Sequence, residues 1–218
     1  MSVLHKLASA LNRRDEVPNQ ELACEILRSK DQRAVKELVE NLANEDKRIQ
    51  SDCIKVLYEI GEGEPALIAP YYREFGKLLD SKNNRLVWGA MTALDSIASS
   101  EPKGVFGLLS TILKAADGDS VIARDHAVGI LVKLGSLKQY SAKCVPLLIE
   151  QLQTCPDNQF PMYAEMSLTL ANDANSAALQ KVMTRRLESL EKESQRKRVA
   201  KVLKRLQRTE EAGPKGRK

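Results

Sequence analysis

Aromatic side chains are scarce in this chain, at 4% of 218 residues with a single tryptophan, Trp88. Beside an abundance of Leu, Ala, Ile, Val, Glu and Lys, that scarcity favours helices over sheets. The 11 glycines and 8 prolines fall mostly between apolar segments, where they act as breakers. No stretch approaches the ~18 apolar residues of a membrane span, so no membrane partner is expected. The start, Met1 to Lys6, lacks a long apolar run and a small-residue cleavage site, so the expected location is cytoplasmic. The four cysteines, Cys24, Cys53, Cys144 and Cys155, contain no CxxC pair, which argues against a disulfide framework. With only His5 and His126 to add, no zinc site and no cofactor are expected. No Ser-His-Asp order, glycine-rich phosphate loop or HExxH is present, and His126 reads as a surface residue. The chain is therefore expected not to be an enzyme.

What is present is a repeat. Leu57, Leu94, Leu131 and Leu168 lie 37 residues apart. The same step links Cys53, Ala90, Ala127 and Ala164, and then Ile60, Ile97, Leu134 and Ala171. Three rows in phase, four and three residues apart, define one amphipathic helix written four times. A second set, Leu38, Phe75, Ile112 and Ile149, holds the same step about 19 residues earlier. Each unit is thus two helices, A then B. The spacing predicts A helices near 33–44, 67–79, 104–116 and 142–154, and B helices near 47–60, 84–98, 120–134 and 160–171. Asp46, Asn83, Asp119 and Asn158 are the expected N-caps of the B helices. A shortened pair near 3–12 and 19–29 and a basic pair within 176–208 read as the two capping ends.

The segment Val121-Ile122-Ala123-Arg124-Asp125-His126-Ala127-Val128-Gly129-Ile130-Leu131, with Pro70 and Pro146 near the starts of first helices, resembles HEAT repeats, within the wider armadillo-type solenoids. The resemblance covers about residues 3 to 207. It implies an all-α, right-handed α-α superhelix of about six helix pairs, with B helices lining a concave surface. One departure is plain: the equivalents of Arg124 are Gln50, Val87 and Pro161, so an arginine ladder is absent. The reading makes 1–208 a single repeat domain and 209–218 a disordered basic tail.

At about 100° per residue, Leu57, Cys53, Ile60 and Ile49 share one side of their helix, while Arg48, Asp52, Lys55 and Glu59 point away. Stepping by the repeat gives Arg85, Gly89, Thr92 and Ser96, then Ile122, His126, Gly129 and Lys133, then Gln159, Tyr163, Met166 and Leu170. A protein or peptide partner on this concave row would meet Arg48, Asp52, Lys55, Arg85, Trp88, His126, Lys133, Tyr163 and Met166. Tyr163, Met166 and Leu170 form an outward apolar strip, to be met by a partner or covered by the last helix pair. Trp88, at the edge of the buried sector, is either partly core or an anchor.

Charge is uneven. Residues 181–218 carry a net +9 and residues 1–180 a net −4. On the helix at 196–208, Lys197, Lys201, Lys204, Arg205 and Arg208 face out. This stripe fits a solvated cap, contact with an acidic protein such as another copy, or a nucleic-acid backbone. HEAT-like alkylpurine DNA glycosylases are also all-helical, near this length and basic, which keeps base excision as an alternative. Those enzymes depend on a cleft rich in Trp and Tyr with a catalytic Asp; here Asp52 has no aromatic neighbours in the flanking repeat.

Overall fold

The computed structural model describes residues 2–118 and 120–211, the last three by backbone alone. Among the described residues there are α-helices and short 3-10 turns and no strand. The chain divides into two compact units, Met1–Ala127 and Val128–Lys218, with the boundary inside a helix.

The first unit opens with a 3-10 turn, Leu4–Lys6. It continues through α1 (Val17–Ser29), α2 (Gln32–Glu40), α3 (Lys47–Gly63), α4 (Tyr72–Leu78), α5 (Asn84–Ile97), α6 (Pro102–Gly107) and α7 (Leu109–Ala116), and into α8 (Val121–Gly135). The B helices lie side by side, with α3 between α1 and α5, while α2 and α4 pack on α3 and α5. The second unit takes the rest of α8, then α9 (Lys138–Thr154), α10 (Phe160–Ser167), α11 (Ser176–Ser189) and α12 (Glu193–Glu211). There α9 packs on α10 and α11, and α12 packs on the same two helices. Of the predicted tail, residues 209–211 continue α12, and 212–218 lie outside the described residues.

The leucine and small-residue rows are core. Leu57, Leu94 and Leu131 have no exposed surface, and neither do Cys53, Ala90, Ala127 and Ala164. A helix pair cannot bury its apolar face alone, so each small position lets the neighbouring helix approach and cover the leucine four residues on. The fourth copy departs from the rule. Leu168 is only half-buried, while Leu170, predicted to point outward, is buried. The cause is local: α10 stops at Ser167 and the chain tightens into a 3-10 turn, Leu168–Leu170. With ~3.0 instead of ~3.6 residues per turn, the side chains rotate out of the repeat phase. Leu170 then seats over Gly135, where an added Cβ would lie 2.8 Å from its Cδ1.

Helix starts follow the N-cap chemistry in two of the four predicted places. Asp46 accepts from the Arg48 amide (2.8 Å) and Asn83 from the Arg85 amide (3.1 Å). Asp119 lies outside the described residues, and Ser120 accepts from the Ala123 amide (3.2 Å) at the start of α8. Asn158 does not cap: α10 begins after Gln159, which makes no side-chain cap bond. The A helices are more broken than predicted. Pro65 and Pro70 cut the second into 3-10 turns before α4, and the third divides between Gly107 and Leu109. The predicted helix at 3–12 is a single 3-10 turn followed by tight turns that end with Asn12 at φ 53°. Pro146 remains inside α9, on its exposed side.

Gly89 is a second correction. The wheel places it outward, but it is buried, and a Cβ there would overlap Ile54 Cγ1 of α3. Truncating Leu94→Ala, at the centre of the first unit, lowers unfolding free energy by about 2–5 kcal/mol in urea titrations. Gly89→Ala is destabilising although alanine favours helix by ~1 kcal/mol, because overpacking costs ~1–3 kcal/mol. In an Ile54→Ala background the same change is neutral or stabilising, which a double-mutant cycle measures.

Candidate protein-binding face

The outward sides of α3, α5 and the start of α8 carry most of the predicted site residues, and the structure sorts them into tied and available. Arg48 extends into solvent from the first turn of α3 and is held by Asp46 at 2.7 Å. That guanidinium hydrogen bond, with the Arg48 amide, keeps the Asp46 carboxyl below the usual range. Arg85 is exposed one repeat further on, and Ile122, 42% exposed, follows at the start of α8. Trp88 is half-buried one turn beyond Arg85.

Asp52 and Lys55 are tied. Asp52 accepts from the Asn19 side chain (2.8 Å) and the Ser9 amide (2.7 Å), and Asn19 in turn accepts from the Ala8 amide (3.0 Å). Both carboxylate oxygens thus fasten the N-terminal turn to α1 and α3. Lys55 is 12% exposed, paired with Glu16 (3.0 Å) and Glu59 (2.6 Å), and lies 4.7 Å from the Tyr58 ring centroid. Burial alone would lower its pKa; hydrogen bonds to Glu59, Tyr58 and Glu16 outweigh burial and hold the ammonium above its ordinary range.

His126 joins α8 to α5. Its Nδ1 lies 2.9 Å from Asp95 Oδ2 and its Nε2 lies 2.9 Å from Thr92 Oγ1. A carboxylate only accepts, so Asp95 fixes a proton on Nδ1. The Thr92 hydroxyl also lies 3.0 Å from the Trp88 carbonyl, which connects the histidine to the turn that presents the indole. With side-chain exposures of 25% and 18%, His126 and Asp95 are a helix-to-helix joint with an open edge. Sequence spacing locates His126 but gives no sign of Asp95 and Thr92, which face it across two helices.

In the second unit, Lys133 and Met166 are half-buried. Tyr163 is fully buried, and Gln159 Nε2 donates to its hydroxyl at 2.6 Å. The predicted outward strip of Tyr163, Met166 and Leu170 is therefore not a surface: α12 packs on α10, and two of its three residues are core. Arg186, unread in the sequence, donates to the carbonyls of Leu152 (3.0 Å), Gln153 (3.0 Å) and Cys155 (2.9 Å). It also pairs with Asp157 at 2.7 Å and stacks 4.5 Å from the Phe160 ring centroid. It caps the C-terminal end of α9, where orphan carbonyls and the helix dipole favour a cation. The outward cations of α12, Lys197, Lys201, Lys204, Arg205 and Arg208, are all exposed as expected.

An open groove of about 910 Å³ runs beside α1, floored by Leu11, Pro18 and Leu22 and rimmed by the Lys6–Glu25 ion pair, Glu21 and Arg28. None of the predicted partner-binding residues lines it. Among the described residues no group of three or more His, Cys, Asp or Glu could hold a metal ion. No described helix is long and apolar enough to cross a membrane.

No protein-family model and no curated protein matches this sequence. Solved structures do. A designed armadillo repeat protein in complex with the peptide (KR)4 is 18% identical, with 86% of each chain covered and a TM-score of 0.66. An engineered protein is 20% identical over 96% of this chain and 98% of its own, with a TM-score of 0.62. The archaeal HEAT-like repeats protein of Thermococcus onnurineus NA1 is 13% identical over 89% and 98%, with a TM-score of 0.51. At these identities the likeness is one of fold: this chain has the all-α helix-pair repeat architecture of armadillo and HEAT-like solenoids.

Burial sets cysteine reactivity. It pushes the Cys53 thiol up to about 12 and Cys144 up to about 11, and Cys155 is also buried, while Cys24 is exposed. At ~pH 8, iodoacetamide is expected to modify Cys24 alone in the native chain and all four cysteines after denaturation, as read by peptide mass spectrometry. Rapid native labelling of Cys53 would contradict the packing of α3.

Proposed function

We propose that this chain is a non-catalytic scaffold that binds a protein or peptide segment along the outward B-helix face of its first unit. The observation that carries the reading is the set of side chains that reach solvent on three successive B helices: Arg48, paired with Asp46, on α3, Arg85 and the half-buried Trp88 on α5, and Ile122 on α8. Interfaces draw their affinity from a few aromatic and arginine anchors surrounded by near-neutral contacts. Trp88 supplies a rigid ring whose backbone is braced by Thr92 and His126, and Arg85 supplies a charge with no fixed partner among the described residues. The designed armadillo repeat protein solved with the peptide (KR)4, similar in fold, supports this use of the architecture.

The bound segment crosses α3, α5 and the start of α8, with an apolar side chain against Trp88 and Ile122 and acidic groups opposite Arg48 and Arg85. Asp52, Lys55 and His126 act from beneath by holding the helices in register.

The test starts from chemical cross-linking in cells, identification of the captured protein by mass spectrometry, and calorimetric titration of the purified pair. Trp88→Ala with Arg85→Glu is expected to weaken binding at least tenfold, about 1.4 kcal/mol, while the variant stays folded at the assay temperature by circular dichroism. If that double variant binds the identified partner as tightly as the parent chain, the face is wrongly assigned.

A further inference from the structure

A second surface differs in chemistry from the B-helix face. On the last described helix, α12, Val199, Val202 and Leu206 are buried, while Lys197, Lys201, Lys204, Arg205 and Arg208 are all exposed. At ~1.5 Å per residue these five cations run along about 16 Å of helix. Two ion pairs stand at its near end, and the Glu165 charge also reaches Lys201 and Arg205. Glu165 takes Arg198 in a two-pronged contact at 2.9 and 2.7 Å, and Glu193 lies 3.6 Å from Lys197. Lys201, Lys204 and Arg208 form no ion pair with a described residue.

We infer that this stripe of α12 is a binding surface for the phosphate backbone of double-stranded nucleic acid, without sequence preference. The composition of the face selects that ligand. Between the cations the exposed positions are Ala200 and Gln207, with no aromatic or large aliphatic side chain. Protein partners bury an apolar or aromatic centre and place charges at the rim, and this face has no such centre. Single strands are held by bases stacked on aromatic rings, and this face has no ring. A duplex backbone needs neither. It offers a dense row of phosphates that cations neutralise as condensed counterions are released. Apart from the Gln207 carboxamide, the exposed polar groups are ammonium and guanidinium, and set against phosphates they position the helix without reading a base sequence. Arg198, held by Glu165, fixes the orientation of α12 on α10 and presents the other cations together.

Fluorescence anisotropy of the full chain with a labelled duplex of about 20 base pairs tests the assignment. Five phosphate contacts give a slope of about −4.5 for log K against log salt, a loss of about 500-fold between ~50 and ~200 mM. The variant Lys201→Gln, Lys204→Gln, Arg208→Gln, with helicity checked by circular dichroism, is expected to bring the slope to about −2 and weaken low-salt binding more than tenfold. A control with the same charge change on exposed lysines of the first unit, Lys77→Gln, Lys82→Gln and Lys103→Gln, should keep the parental slope. Duplex should bind more tightly than a single strand of equal charge or polyglutamate. The proposal is overturned by absence of binding at the lowest salt or by an unchanged slope in the α12 variant. Equal loss in the control, or tighter binding of the single strand or polyglutamate, also overturns it.

Discussion

Everything in the first unit depends on the close approach of one B helix to the next. Alanine or cysteine at one position and leucine four residues later mean that each helix offers a shallow seat and a projecting side chain. Neither is buried until another copy lies alongside. Cys53 with Leu57 and Ala90 with Leu94 are fully enclosed on these terms, and Gly89 against Ile54 brings α3 and α5 closer than any side chain would allow. Because each seat is filled by a neighbour, helices at the ends need other cover. At the start the N-terminal turn is pinned through Asn19 and Asp52; near the other end Arg186 closes α9 and Arg198 clamps α12.

The same constraint decides which polar residues are available to a partner. Where two helices nearly touch, an outward polar side chain one turn away is within reach of the adjacent helix and bonds there. Asp52 bonds to Asn19 of α1, Lys55 pairs with Glu16 at the start of α1, and His126 bonds to Asp95 of α5. Side chains in the first turns of the helices, Arg48, Arg85 and Ile122, have no helix to lean on and remain in solvent. Along the outward B-helix row the exposed side chains are thereby at helix starts, while Asp52, Lys55 and His126 further along serve as joints.

Much of this was legible: the 37-residue step marked the helix pairs and the buried rows, and the local spacing within 196–208 marked the outward cations of α12. The sequence was less informative wherever geometry departs from a regular α-helix. Leu168 and Leu170 exchanged places because a 3-10 turn changes the angular step, and Gly89 turned inward because its missing Cβ admits a neighbour instead of exposing a bare surface. For Tyr163 the wheel left a partner or the last helix pair as the cover, and burial with α12 packed on α10 selects the second. Pairings such as Asp95 with His126 or Arg186 with the carbonyls of α9 join residues some thirty apart and leave no periodic trace.

Hydrogen exchange along a denaturant series tests the central claim most directly, namely that α3 and α5 are one cooperative body held by their shared seats. The account predicts that amides at 53–60 and 90–97 exchange only through a common opening, with the same free energy and the same denaturant dependence. Exchange of the α5 amides through a separate, lower-energy opening while α3 stays protected would contradict it.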